Sequence, residues 1–184
     1  MNARHIPNLI TAARILLVFP IVSLLLVGRL DWALALFIVA GVSDAVDGFL
    51  AKYFGWQSRL GSYLDPLADK LLLISSYVVL GWLGLLPLWL AVLVVLRDLV
   101  IFTGAVAYYF LLRPFEGQPI LISKLNTLLQ LLLVFVVLLS HGLTPIPDAV
   151  IAALIGLVGL TTLASGAQYV YVWGTRYLRE VRQP

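Results

Sequence analysis

The sequence contains no cysteine, which excludes disulfides and thiolate metal sites. Charge is scarce as well. Asp, Glu, Lys and Arg make up 11% of the 184 residues, whereas a soluble domain carries about 25%. There are two histidines, His5 and His141, and the pattern of apolar segments sets them on opposite sides of a membrane, so a histidine zinc site is not expected. The basic residues stand singly along the chain and the net charge is +3; that is not a nucleic-acid footprint. What the chain does have is apolar surface: 62% of residues are hydrophobic and the mean hydropathy is +1.04. These features describe an all-α polytopic membrane protein, read as one domain over residues 1–184.

A membrane-spanning helix needs about 20 largely apolar residues. Six segments meet that length: roughly Leu9–Val27, Trp32–Leu50, Ser62–Leu80, Leu88–Leu112, Ile120–Leu139 and Ala149–Val172. Helix breakers fall between them at Gly28, Gly55, Gly81 to Pro87, Pro114 to Pro119 and Gly142 to Pro147. Pro20 lies inside the first segment, where a kink is expected. Arg4 and His5 precede the first apolar run in the manner of a signal peptide, but Arg14 interrupts that run, so a retained first span is expected.

Basic residues mark the cytoplasmic side. They occur in the amino-terminal leader (Arg4), the second connector (Lys52, Arg59), the fourth (Arg113) and the tail (Arg176, Arg179, Arg182), with Arg29 alone on the other side. The expectation is six transmembrane helices with both termini in the cytoplasm, in a bacterial inner (cytoplasmic) membrane.

Against this apolar background the stretch DAVDGFLAKYFGWQSRLGSYLDPLADK stands out, with aspartates at 44, 47, 65 and 69. The first two close the second span and the last two open the third, at spacings of three and four that put each pair on one helix face. Antiparallel neighbours would then bring all four together on the cytoplasmic side. Each intramembrane aspartate costs about 2.5–3.5 kcal/mol, and crowding adds like-charge repulsion. Protonation, salt bridges to Lys52, Lys70 or Arg97, or bound divalent cations would each relieve it. An all-carboxylate ligand set favours Mg²⁺ or Mn²⁺ over zinc. Gly48, Ala51 and Gly61 keep the neighbourhood short of side chains, which serves either close helix packing or space for a ligand.

The spacing is Asp44-x2-Asp47-Gly48-x2-Ala51-Lys52-x8-Gly61-x3-Asp65-x3-Asp69. It resembles the signature of the CDP-alcohol phosphatidyltransferase family, D-x2-D-G-x2-A-R-x8-G-x3-D-x3-D, and departs from it only in Lys52. Lysine keeps the charge of the usual arginine and loses its two-pronged fork. The resemblance implies attack of a hydroxyl on the lipid-bearing phosphate of CDP-diacylglycerol, with CMP leaving. It further implies that Asp44, Asp47, Asp65 and Asp69 hold two Mg²⁺ or Mn²⁺ ions, and that Asp69 is also the general base. Gly48, Ala51, Lys52 and Gly61 would contact the nucleotide donor, and the protein would be a homodimer.

PNLITAAR at Pro7–Arg14, LDPLADK at Leu64–Lys70, the Arg97-Asp98 pair and SKLNTLLQ at Ser123–Gln130 resemble the branch that holds the phosphatidylglycerophosphate and cardiolipin synthases. Asn8 and Thr11 are candidates for donor contact or helix capping. Arg14, Arg97, Lys124 and Asn126 are candidates for acceptor contact, with a local ion pair (Arg97) and interfacial snorkelling (Lys124) as the plainer readings. Phosphatidylglycerophosphate synthases typically carry a second lysine where Asn126 stands, which suits the dianion glycerol 3-phosphate. In SKxNTxxQ and in the Thr161–Tyr171 stretch the chain more closely resembles the eukaryotic-type cardiolipin synthases, and that resemblance implies phosphatidylglycerol, a monoanionic lipid, as acceptor. A cation- or proton-coupled transporter would explain buried acids, but not the glycine-aspartate spacing.

Overall fold

A computed structural model of the protein describes residues 6–56, 59–111 and 121–181. Among them the fold is all-helical: α1 (Ile6–Leu26), α2 (Leu30–Tyr53), α3 (Arg59–Trp82), α4 (Leu88–Leu111), α5 (Leu121–Gly142) and α6 (Asp148–Val181). Each coincides with one of the six apolar segments. Four of them, α1, α2, α5 and α6, are long and apolar enough to cross a membrane. Arg59, Asp65, Asp69 and Lys70, all in the first half of α3, lower its apolar character. Arg4, Arg113 and Arg182, on which the expected orientation draws, lie outside the described residues, as do His5 and the segment ends Leu112 and Ile120.

α1 packs against α2 and α3, α5 against α2 and α6, and α4 against α3 and α6. The interior is built from Ile21 and Leu25 of α1, Leu34 and Phe37 of α2, Leu73, Tyr77 and Leu80 of α3, Leu90 and Val94 of α4, Leu133 and Val137 of α5, and Val158 of α6. The outward faces are apolar too, with Leu16, Phe19, Val39, Trp82, Leu128 and Leu160 exposed. Helices hydrophobic all round belong in lipid. In that solvent apolar burial drives little association, and close packing with interhelical hydrogen bonds takes over. The Tyr77 hydroxyl donates to the Gln130 carbonyl at 3.2 Å, tying α3 to α5. Thr161 and Thr162 each donate to Asn126 Oδ1 at 2.8 Å, tying α6 to α5.

Pro20 and Pro66 are both accommodated within continuous helices, α1 and α3. The turn from α2 into α3 rests on Gly55 at φ +65°, a left-handed conformation that glycine adopts without steric cost. There the amides of Phe54 and Trp56 donate to the carbonyls of Leu50 and Ala51, both at 3.0 Å. That turn reverses the chain so that the acidic end of α2 meets the acidic start of α3.

Gly142, at the end of α5, lies against the start of α2. A Cβ there would sit 2.9 Å from the Asp31 amide nitrogen and 3.0 Å from the Leu30 carbonyl carbon. Backbone cannot yield as a side chain does, so Gly142→Ala is expected to cost about 1–3 kcal/mol. The check is a lower melting temperature in detergent; an unchanged one would mean that α2 and α5 do not meet here.

Candidate active site

α2 delivers Asp44 and Asp47 from one face, and α3 delivers Asp65 and Asp69. α1 runs across both pairs and supplies two side chains one turn apart, Thr11 and Arg14. The Arg14 guanidinium lies at the centre of the cluster. Its Nη1 is 2.6 Å from Asp44 Oδ1 and 2.9 Å from Asp69 Oδ1, and its Nη2 is 2.6 Å from Asp47 Oδ2. The Thr11 hydroxyl lies 2.6 Å from Asp65 Oδ1 and 3.3 Å from Asp47 Oδ2. All four carboxylates are thereby held from α1.

Burial grades across the cluster. The Arg14 side chain is 0% exposed and that of Asp47 3%, while Asp44 and Asp69 are 45% and 44% exposed. One side of the cluster is sealed by the bundle, and the other is open for a ligand to approach. A guanidinium stays charged at all accessible pH, so its burial is sustainable only because anions surround it.

Among the described residues no three acidic or histidine side chains stand as a ready cage for one metal ion. The donor set is nonetheless one a hard divalent cation accepts, all carboxylate oxygen, and three of its oxygens converge on a single cationic group, Arg14. The residues therefore fit such an ion chemically, with the guanidinium on the oxygens that the ion would use.

Gly48 follows Asp47 on the exposed surface of α2, and a Cβ built on it meets no atom within 4 Å. Packing against the described residues therefore does not require a glycine here. Lys52 is exposed one turn further on, Ala51 is half-buried and Gly61 is buried. Asn8 is half-buried one turn before Thr11.

A second polar cluster joins the other helices. Arg97 Nη1 donates to Asp98 Oδ1 at 2.7 Å, and its Nη2 donates to the hydroxyls of Ser123 of α5 and Ser165 of α6 at 2.5 and 2.6 Å. Lys70 Nζ lies 2.6 Å from Asp98 Oδ1. This corrects one expectation from sequence: Lys70 and Arg97 compensate Asp98, and the paired aspartates of α2 and α3 are compensated by Arg14. Lys124 is exposed at the start of α5, whereas Asn126 is buried with its oxygen taken up by the two threonines of α6. The two residues therefore do not line one surface.

Residues 4–164 match the family model described as CDP-alcohol phosphatidyltransferase. The chain belongs to that family. A protein of Schizosaccharomyces pombe, the cardiolipin synthase (CMP-forming) / mitochondrial hydrolase fusion protein, is 37% identical across 91% of this chain and 31% of its own length. The cardiolipin synthase (CMP-forming) of Homo sapiens is 32% identical across 98% of this chain and 65% of its own. The CDP-diacylglycerol–glycerol-3-phosphate 3-phosphatidyltransferase of Bacillus subtilis is 29% identical across 90% of this chain and 93% of its own. The chain thus spans 31% and 65% of the first two relatives.

Proposed function

We propose that this protein transfers the phosphatidyl group of CDP-diacylglycerol to a hydroxyl of phosphatidylglycerol, giving cardiolipin and CMP. The observation that carries this reading is the meeting of Asp44, Asp47, Asp65 and Asp69 at one half-open site, in a chain of the CDP-alcohol phosphatidyltransferase family with relatives named cardiolipin synthase. The acceptor oxygen attacks the lipid-bearing phosphorus, the bond to the bridging oxygen breaks, and CMP leaves with that oxygen. The acceptor proton passes to Asp69, whose exposure lets a hydroxyl approach it. Asp44, Asp47, Asp65 and Asp69 would hold one or two Mg²⁺ or Mn²⁺ ions, which when bound neutralise charge on the diphosphate and the departing CMP.

The remaining residues bind and orient. Gly48 leaves room for the nucleotide, and Lys52 offers a cation to its phosphates at the end of α2. Apolar grooves flank α2 on both sides and share Ile38 and Val42: one runs along Ile10 and Val39, the other along Leu128 and Phe135 of α5. They support a donor with acyl chains. Arg97 and Lys124 are the cations we assign to the acceptor side. The six helices would all cross the membrane, termini and site facing the cytoplasm, as the basic residues suggest.

Transfer to glycerol 3-phosphate is the second reading. The near full-length match to the Bacillus subtilis relative favours it, and the single charge at Lys124, with Asn126 buried, favours the lipid acceptor. CMP release from CDP-diacylglycerol that rises on adding either acceptor and stops on chelation supports a metal-dependent transferase. CMP release indifferent to acceptor and metal would remove it.

Gly48→Ala separates a ligand role from packing. Alanine improves helix propensity by about 0.8–1.0 kcal/mol and meets nothing in this structure, so the variant should melt no lower than the parent. Donor KM is expected to rise about tenfold. An unchanged KM would mean that the nucleotide does not lie against Gly48.

A further inference from the structure

Among the described residues Arg14 is the most deeply buried charged side chain, and it stands on the oxygens of three carboxylates. Its two Nη atoms belong to one small planar group, so the three oxygens ring a single spot. Among the described residues its buried Nε meets no partner, so the contacts of the guanidinium lie on its Nη edge. Four aspartates stand against this one arginine, so by formal charge the cluster has room for further cation. Such a site holds a monovalent cation it can exchange for a stronger one.

We propose that Arg14 is a resident counter-cation of the acidic cluster, holding the carboxylates together and releasing their oxygens when a divalent cation binds. The inference rests on the reading of the four aspartates as a divalent site. An ion of the Mg²⁺ class takes oxygens at about 2.0–2.1 Å, and an oxygen so held cannot keep a full hydrogen bond to Nη1 or Nη2. Metal and guanidinium therefore compete for Asp44 Oδ1, Asp47 Oδ2 and Asp69 Oδ1. Thr11 keeps its 2.6 Å contact with Asp65 Oδ1, an oxygen outside the contested three, whereas its 3.3 Å contact to Asp47 is to the contested Oδ2 itself. α1 thus keeps its dock on α3 through the exchange.

The test is Mn²⁺ binding to the full chain in detergent, read from the electron paramagnetic resonance of free Mn²⁺, with no substrate present. Arg14→Gln removes the competitor and should tighten Mn²⁺ binding about tenfold, which is about 1.4 kcal/mol. The variant should also gain more in melting temperature from Mn²⁺ than the parent does. Arg14→Lys keeps the charge but replaces the fork with one ammonium that reaches fewer oxygens, so it should tighten binding by a smaller factor, and it serves where the glutamine variant does not fold. Binding in the folded variants equal to or weaker than in the parent overturns the proposal. If the parent itself binds no Mn²⁺, the divalent site falls and this inference falls with it. If the parent binds and the variants bind no tighter, only the role of Arg14 is lost.

Discussion

Asp44→Asn, Asp47→Asn and Asp65→Asn are each expected to cut CMP release by on the order of a thousandfold, the scale for removing one preorganised charge-stabilising group from an active site, while the protein stays folded. Asparagine preserves shape and leaves an oxygen to accept from Arg14 or Thr11, so the α1 latch survives. Asp47 is the stringent case, since it is 3% exposed and touches both Arg14 and Thr11. Even there Arg14 keeps two carboxylates, those of Asp44 and Asp69, and its buried charge is not orphaned. What asparagine cannot do is bind a hard cation as an anion does. Release of CMP is the readout, with melting temperature as the folding control. Near-normal turnover in any two of these variants would end the assignment of the cluster to metal and diphosphate.

Asp69→Asn should fail differently. A base acts on the acceptor, so donor binding should persist while transfer falls by about 10²- to 10⁴-fold. The pH–rate profile of the residual activity should differ in shape from the parent's, because the base that acts on the acceptor is gone. Donor affinity measured beside turnover across pH decides the point. A variant whose profile keeps the parent's shape at substantial rate has lost no base.

The two kinds of information that placed these residues were not equally visible in the chain. The acidic pairs could be read because intervals of three and four fix a helix face by geometry alone, and because an aspartate in an apolar run has so few harmless explanations. Gly28, Gly55 and Gly84, all at positive φ, lie at the breaks that composition marks. The partner of the acids could not be read. Arg14 is separated from Asp69 by 55 positions, and its role follows from the way α1 lies across α2 and α3. The available hint was that Thr11 and Arg14 share a face one turn apart. Asn126 is obscured for a related reason: it shares the buried face of α5 with Gln130, and the sequence does not say that this face turns to α6, while proximity to Lys124 along the chain suggests a shared surface that the fold does not form. Whether α3 and α4 cross the membrane was likewise inferred from length, and their polar residues are what hold the second cluster together.

Purified protein given CDP-diacylglycerol with phosphatidylglycerol or with glycerol 3-phosphate, in parallel and with Mg²⁺ or Mn²⁺ present, tests the central claim most directly when the lipid product is identified by mass spectrometry. Salt is held fixed, because exposed charges are screened beyond about 10 Å at 0.1 M. The site described here predicts cardiolipin from the first mixture and little lipid product from the second. Efficient formation of phosphatidylglycerophosphate, with phosphatidylglycerol left unconsumed, would contradict it.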